Sequence, residues 1–375
     1  MGILIASSDR SSIEAILPVA SRLVTKGEDI IVLAEAQGWV RRRFEEVGIP
    51  SLAPENYEEV KFDAQALQKI IEEEKPDLVV IGLGGSDSLD FEMLRALSAG
   101  SGSIPVVAFL CSWLDEWRES GDCQCLYRDF VDISFVLDER SRDWLVEQNF
   151  PESRVSVTGN PAFDEGPKLR GERSRLRREV REALAISDDA LLPLYALTVD
   201  LDREVQVSDG SRGFLEAFSF EEFLRLVGRS HLEQKHSFAG VVYQEPELGA
   251  DRVRRFIQTL SPETRLMNTS EIDPRHLILA ADFVVGTTTA LLVQASLLQV
   301  PALSYLPKTT RPVPSTPNDL GIVKVVGKPG GLEEIFEIVA REPHRIRPLI
   351  PNRQFAPIPQ ATERIAALLL EYLKL

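Results

Sequence analysis

Four consecutive residues, Gly286, Thr287, Thr288 and Thr289, carry the most readable chemistry in this chain. They follow the short β-branched run Phe283–Val285, which suits a strand buried on both faces, and precede an apolar helical stretch that gives way at Pro301 to another strand-like run. Glycine lets the backbone turn without a Cβ clash, threonine caps a helix, and the unpaired N–H groups of a helix start attract an anion. The chemistry would be retention of a phosphate group. An ordinary strand-to-helix turn with threonine capping is the plainer alternative, and these residues alone do not separate the two.

Cations and carboxylates suited to the same chemistry lie elsewhere. Arg10 falls in the polar turn after the first apolar run, Arg203 and Arg212 in the long connection Thr198–Phe218, and Lys308 after the run Ala302–Tyr305. Arginine offers a planar fork that matches phosphate oxygens. Gly210 and Gly213 flank Arg212 and permit close backbone approach, although a plain surface loop has the same composition. Asp115 and Glu116 stand between Trp113 and Trp117. Rings beside a carboxylate form a sugar-stacking wall and raise its pKa by desolvation, whereas an amphipathic helix with buried tryptophans and solvated acids accounts for the same spacing. Asp9 and Asp87 are weaker candidates for a base. His231, His236, His276 and His344 fall in the second half and are assigned no chemistry. Cys111, Cys123 and Cys125 make neither a disulfide framework nor a ligand set of adequate number, so no metal is expected.

These residues need a scaffold that brings strand ends together. Strand-like runs at Ile3–Ala6, Ile30–Leu33, Leu78–Ile81, Val106–Leu110, Ile133–Leu137 and Val155–Val157 alternate with helical stretches such as Ile13–Thr25 and Ala64–Glu73. The charged segment Lys168–Glu182 reads as a helix with little apolar surface, at the passage into a second domain. Strands resume at Leu192–Leu197, Gly240–Tyr243, Thr264–Met267, Phe283–Val285, Ala302–Tyr305 and Val323–Val326. The pattern predicts an α/β chain of two Rossmann-like doubly wound parallel-sheet domains facing a cleft. The expected division is 1–166, 167–355, and a C-terminal helix in 356–375 that packs back on the first domain. In open α/β sheets ligands bind beyond the carboxyl ends of the strands, where all the candidate loops fall.

Composition narrows the partners. With 375 residues, two domains are expected rather than one. An apolar fraction of 44%, with 27% charged residues, is that of a soluble globular protein. A net charge of −16 argues against general nucleic-acid binding, which needs a basic excess. No run approaches the ~20 apolar residues of a transmembrane helix, and no basic leader precedes Ile3, so a cytoplasmic location without a membrane anchor is expected. A homodimer is compatible with the sequence and not required by it.

The segments SSDRSSIEAILPVASRL (Ser7–Leu23), KPDLVVIG (Lys75–Gly82) and VTGNPAFD (Val157–Asp164) resemble the GT-B superfamily of nucleotide-sugar enzymes. The resemblance is nearest the branch of UDP-N-acetylglucosamine 2-epimerases, lipid A disaccharide synthase and related glycosyltransferases. It implies a nucleotide sugar, UDP-linked, on the second domain, its diphosphate at Gly286–Thr289 and its ribose near Gln294, where relatives carry a glutamate. It also implies an acceptor on the first domain and no obligatory metal or other cofactor. Arg10 falls at the arginine of the epimerases' first-loop motif. Three epimerase acid/base positions, however, fall near Gly84, at Leu110–Ser112 and at Asp200. Because an epimerase must remove and return a proton with positioned groups, glycosyl transfer is the expected activity, with Asp115, Glu116 and Arg10 as catalytic candidates. A 2-epimerase or hydrolase with relocated groups is the alternative. An inactive sugar-nucleotide binder or assembly protein is the third possibility, favoured by YQEPE (Tyr243–Glu247) where relatives carry a basic or histidine-proline element.

Overall fold

The computed structural model describes residues 2–8, 10–34, 38–52, 63–83, 88–100, 104–111, 113, 121–197, 216–232, 238–244, 250–267, 272–307, 309, 315–342 and 356–374. The chain divides into two compact units, one of residues 1–164 with 357–375 and the other of residues 165–356. Among the described residues, no helix is long and apolar enough to cross a membrane.

In unit 1, seven strands are β1 (Gly2–Ala6), β2 (Asp29–Leu33), β3 (Ser51–Leu52), β4 (Leu78–Ile81), β5 (Val106–Leu110), β6 (Ile133–Val136) and β7 (Val155–Val157). They pair in the order β3-β2-β1-β4-β5-β6-β7, all parallel. Six strands are legible as apolar runs. The seventh, β3, has two residues and no run to announce it. Successive residues of β1 point to opposite faces, and both faces are buried. Ile3 and Ile5 pack with Ile13 and Ile16 of the helix Arg10–Val24 and with Ile365 and Leu369 of the last helix, Ala361–Tyr372. Leu4 and Ala6 pack on the other side with Met93, Leu94 and Tyr127.

The VTGNPAFD run holds that last helix in place. Gln360 precedes the helix without capping it through its side chain. Asp164 supplies the cap from far along the chain, accepting from Ala361 N (3.1 Å) and Thr362 N (2.8 Å). Arg364 donates to the Thr158 carbonyl (2.7 Å). Gly159, at φ +85°, brings the backbone so near Ile358 that a Cβ would stand 2.9 Å from its carbonyl oxygen.

In unit 2, the strands β8 (Pro193–Leu197), β9 (Val241–Gln244), β10 (Arg265–Met267), β11 (Phe283–Gly286), β12 (Ala302–Tyr305) and β13 (Lys324–Val326) pair in parallel in the order β10-β9-β8-β11-β12-β13. Tyr195, Leu197, Phe283 and Val285 contribute to a core completed by Phe220, Phe223 and Phe336.

The charged segment before β8 forms the helices Gly166–Gly171 and Arg173–Ala183. Its arginines are brackets. Arg170 donates to the Leu297 carbonyl (2.9 Å), and Arg177 donates to Ala280 O (2.6 Å). Both acceptors lie at helix C-termini, where unpaired carbonyls and the helix dipole favour a cation. Arg181 is 1% exposed, donates to Ser187 O (2.8 Å) and Ala190 O (2.9 Å), and pairs with Asp282 at 3.0 Å. The charge run thus serves packing within unit 2.

Candidate nucleotide site

Strand order reverses between β1 and β4 in unit 1 and between β8 and β11 in unit 2. Such reversals open a crevice at the strands' carboxyl ends. Each unit places polar side chains there.

In unit 2, β11 ends at Gly286. A Cβ at this position would stand 2.9 Å from the Thr289 methyl carbon and 3.2 Å from the Ala196 carbonyl of β8, so only glycine fits the reversal without displacement. Thr287 and Thr289 are buried and Thr288 is exposed. Thr289 is the N-cap of the helix Ala290–Leu297, accepting from Leu291 N at 3.2 Å. Among the described residues, the backbone N–H groups of Thr288, Thr289 and Ala290 have no hydrogen-bond acceptor. Three free donors at the positive end of a helix dipole form a seat for an anion. Gln294 lies one turn into this helix, half-buried, with a buried Oε1 that has no hydrogen-bond partner among the described residues. An acceptor in that state is suited to a ligand hydroxyl.

Ser304, fully buried in β12, donates to the Thr287 carbonyl at 2.6 Å and accepts from Asn318 Nδ2 at 3.1 Å. Sequence reasoning passes over both residues. The only signal is a serine at an inward position of the otherwise apolar strand ALSY.

In unit 1, Asp90 holds the crevice together. It is 0% exposed and accepts from Gly82 N (2.6 Å) and Ser8 N (3.2 Å), tying the segment after β4 to the segment after β1. A Cβ on Gly82 would collide with Ser7 and Ser12, and Tyr127 donates to the Gly82 carbonyl (2.8 Å). Asp90 has only a weak sequence signal, an acid in a first helical turn after the cap Ser88. Trp113 donates to Asp138 (3.1 Å), and Asn160 donates to the Cys111 carbonyl (2.8 Å), anchoring the chain where it leaves β5.

Burial keeps two further groups out of acid/base and nucleophilic chemistry. Burial pushes the Cys111 thiol well above its ordinary range. Burial, and then the Glu222 carboxylate, do the same to the Tyr305 phenol. Both stay protonated at neutral pH.

Of the expected site residues, Gly286, Thr287, Thr288, Thr289 and Gln294 are brought together on one strand end and one helix. Asp115, Glu116, Arg203, Arg212, Lys308, Asp9 and Asp87 lie outside the described residues. The helix Arg10–Val24 starts at Arg10, whose side chain is also outside the description. Among the described residues no group of three or more His, Cys, Asp or Glu is placed to hold a metal ion.

Two all-parallel α/β units, each with its polar crevice at a strand reversal, define the GT-B class, and the chain has that fold. Solved structures extend the match over the entire chain. The UDP-GlcNAc 2-epimerase of Neisseria meningitidis, solved with UDP-GlcNAc, is similar at TM-score 0.71 and 20% identity, over 99% of this chain and 100% of that one. S. aureus MnaA, solved with UDP, is similar at TM-score 0.72 and 16% identity, over 100% and 97%. Anabaena Alr3699/HepE, solved with UDP-glucose, is similar at TM-score 0.63 and 13% identity, over 99% and 100%. No protein-family profile matches the chain, and no curated protein matches it by sequence.

These structures correct the expectation of glycosyl transfer. The full-length match runs to UDP-GlcNAc 2-epimerases from several organisms, and the epimerase reading set aside on three missing acid/base positions fits better. The physical reason for the error is that absence of a group at an aligned position was taken as absence of the chemistry. A proton-transfer group can come from another loop of the same crevice.

Proposed function

We propose that the chain binds a UDP-linked N-acetylhexosamine and acts at its C2 as a sugar-nucleotide 2-epimerase, or a hydrolysing variant of one, with relocated acid/base groups. The observation that carries this reading is the seat at Gly286–Gln294, three free N–H groups beside a buried, unpartnered amide oxygen. On this reading the N–H groups meet the diphosphate, with Arg10, Arg203 and Arg212 as further cations and no metal required. Gln294 Oε1 takes a ribose hydroxyl. Asp115 and Glu116 are the carboxylates put forward for proton transfer. Donors fixed in advance on the diphosphate stabilise charge that develops as UDP begins to depart, so the sugar can react without an acceptor.

The test is incubation with UDP-GlcNAc in D2O without acceptor, followed by proton NMR. Deuterium at C2, together with an epimerised sugar nucleotide or with UDP and free sugar, supports the proposal. Unchanged UDP-GlcNAc after prolonged incubation with protein that binds it would reject catalysis and leave the inactive-binder reading. That second reading draws on the neutral Gln294 where relatives carry a carboxylate.

Gln294→Leu separates ligand binding from folding at this seat. Affinity for UDP is expected to fall about five- to tenfold, the worth of roughly one hydrogen bond. Stability of the unliganded protein should hold or rise, because a buried acceptor without a partner has been removed. Calorimetric titration beside a thermal melt reads both. Parallel losses in the two measurements would contradict a ligand-facing role.

A further inference from the structure

We infer that Ser304 and Asn318 are positioning residues that fix which way the Thr287–Thr288 peptide points and so determine whether the turn can receive an anion. The inference rests on the diphosphate seat put forward above and adds the device that keeps the seat in its binding orientation.

A trans peptide is planar, with its carbonyl and N–H directed oppositely. Ser304 holds the Thr287 carbonyl inward at 2.6 Å. The N–H of Thr288 is therefore directed away from the buried strand β12. Rotation of this peptide would direct the carbonyl oxygen at the anion instead, replacing attraction with repulsion. The lock lies in the direction of one hydroxyl proton. A serine hydroxyl can donate either way, but Asn318 Nδ2, at 3.1 Å from Ser304 Oγ, is a donor only. With its oxygen occupied as acceptor, Ser304 directs its own proton to Thr287. Two bonds in series also polarise one another, which strengthens the grip on the carbonyl.

Asn318 belongs to the short helix Thr316–Asp319, beyond the strand β12. The segment after β12 is thereby linked to the turn after β11 through a single side chain. Neither residue touches the anion in this arrangement, which distinguishes them from the threonine turn itself.

Asn318→Asp preserves size, reverses hydrogen-bond polarity and adds a negative charge, so the uncharged Ser304→Ala is the decisive substitution beside it. A carboxylate only accepts, so the Ser304 hydroxyl would donate to it and release the Thr287 carbonyl. Ser304→Ala removes the hydroxyl altogether. Wild type and both variants, as full chains, would be titrated with UDP, inorganic pyrophosphate and uridine, with thermal melts as the control for folding. The expected result is a loss of about tenfold in affinity for UDP and pyrophosphate in both variants, with uridine affinity unchanged. A role in folding alone would weaken all three ligands together or none, and either pattern overturns the inference. Wild-type protein that binds UDP with variants that bind it equally well rejects the positioning role and leaves the proposed function standing. Wild-type protein that binds neither UDP nor pyrophosphate rejects the seat, and the positioning role with it.

Discussion

Asp282→Ala is expected to lower the stability of unit 2 by about 3 kcal/mol, the low end for breaking a buried ion pair from one side. Asp282 accepts from Arg177 (2.9 Å), Arg181 (3.0 Å) and Leu192 N (2.8 Å), joining the arginine-bearing helix to the residue that leads into β8. Arg181 is 1% exposed and would be left as a buried cation with carbonyl partners only. The aspartate itself is 20% exposed, so water relieves part of the loss, which is why the low end applies. Adding Arg181→Met should recover part of the deficit, because the uncompensated charge leaves with it. All four tryptophans, Trp39, Trp113, Trp117 and Trp144, fall in residues 1–164. Their fluorescence follows unit 1 while far-ultraviolet circular dichroism follows both units. In urea the dichroism transition should move and the fluorescence transition should serve as reference. A shift worth less than about 1 kcal/mol would mean that the bracket is not a stabilising pair.

The second large effect is on binding. Gly286→Val should abolish most of the affinity for UDP while the sheet still forms. A Cβ would stand 2.9 Å from the Thr289 methyl carbon and 3.2 Å from Ala196 O, and valine adds two further carbons. The strand cannot yield, since β11 is paired on both sides, so the turn must. Loss of aim in even one N–H bond to a charged oxygen is worth about 1.5–3 kcal/mol, which is tenfold or more in affinity. Calorimetric titration with UDP measures it. Binding within about twofold of wild type would show that the diphosphate lies elsewhere.

The sheets were legible because strands buried on both faces are written as continuous apolar runs. Leu78–Ile81, Val106–Leu110, Val155–Val157 and Ala302–Tyr305 have the same limits in sequence and structure, and most of the others differ by a residue at one end. Ser51–Leu52 escaped notice because an edge strand of two residues has no period to detect. The threonine turn was legible for a different reason. Its residue types are those that local backbone geometry requires, and geometry of that kind is carried within a few neighbouring positions.

What sequence could not convey was function borne by distant partners. Ser304 and Asn318 act on Thr287 from other elements, and Asp90 joins two segments some 80 residues apart. Pairings of that range leave no local pattern. The arginines of Arg173–Ala183 are a further case: the segment reads as a charged helix, but its acceptors at Ala280 and Asp282 lie about 100 residues away. The misjudged activity has the same root. Three aligned positions without the family's own acid/base residues weighed too heavily, because alignment reports ancestry of positions and not which side chains meet in space.

The cap that Asp164 places on the last helix has a consequence for how the protein is made. Residues 165–356 form their unit from one uninterrupted stretch, whereas the first unit needs residues from both sides of it. During synthesis the face of the first sheet bearing Ile3 and Ile5 must wait for Ile365 and Leu369, which emerge only after residues 165–356. The first unit is therefore begun before the second and closed after it. Throughout that interval Asp164 stands ready at the junction, the acceptor against which the returning chain is finally fastened.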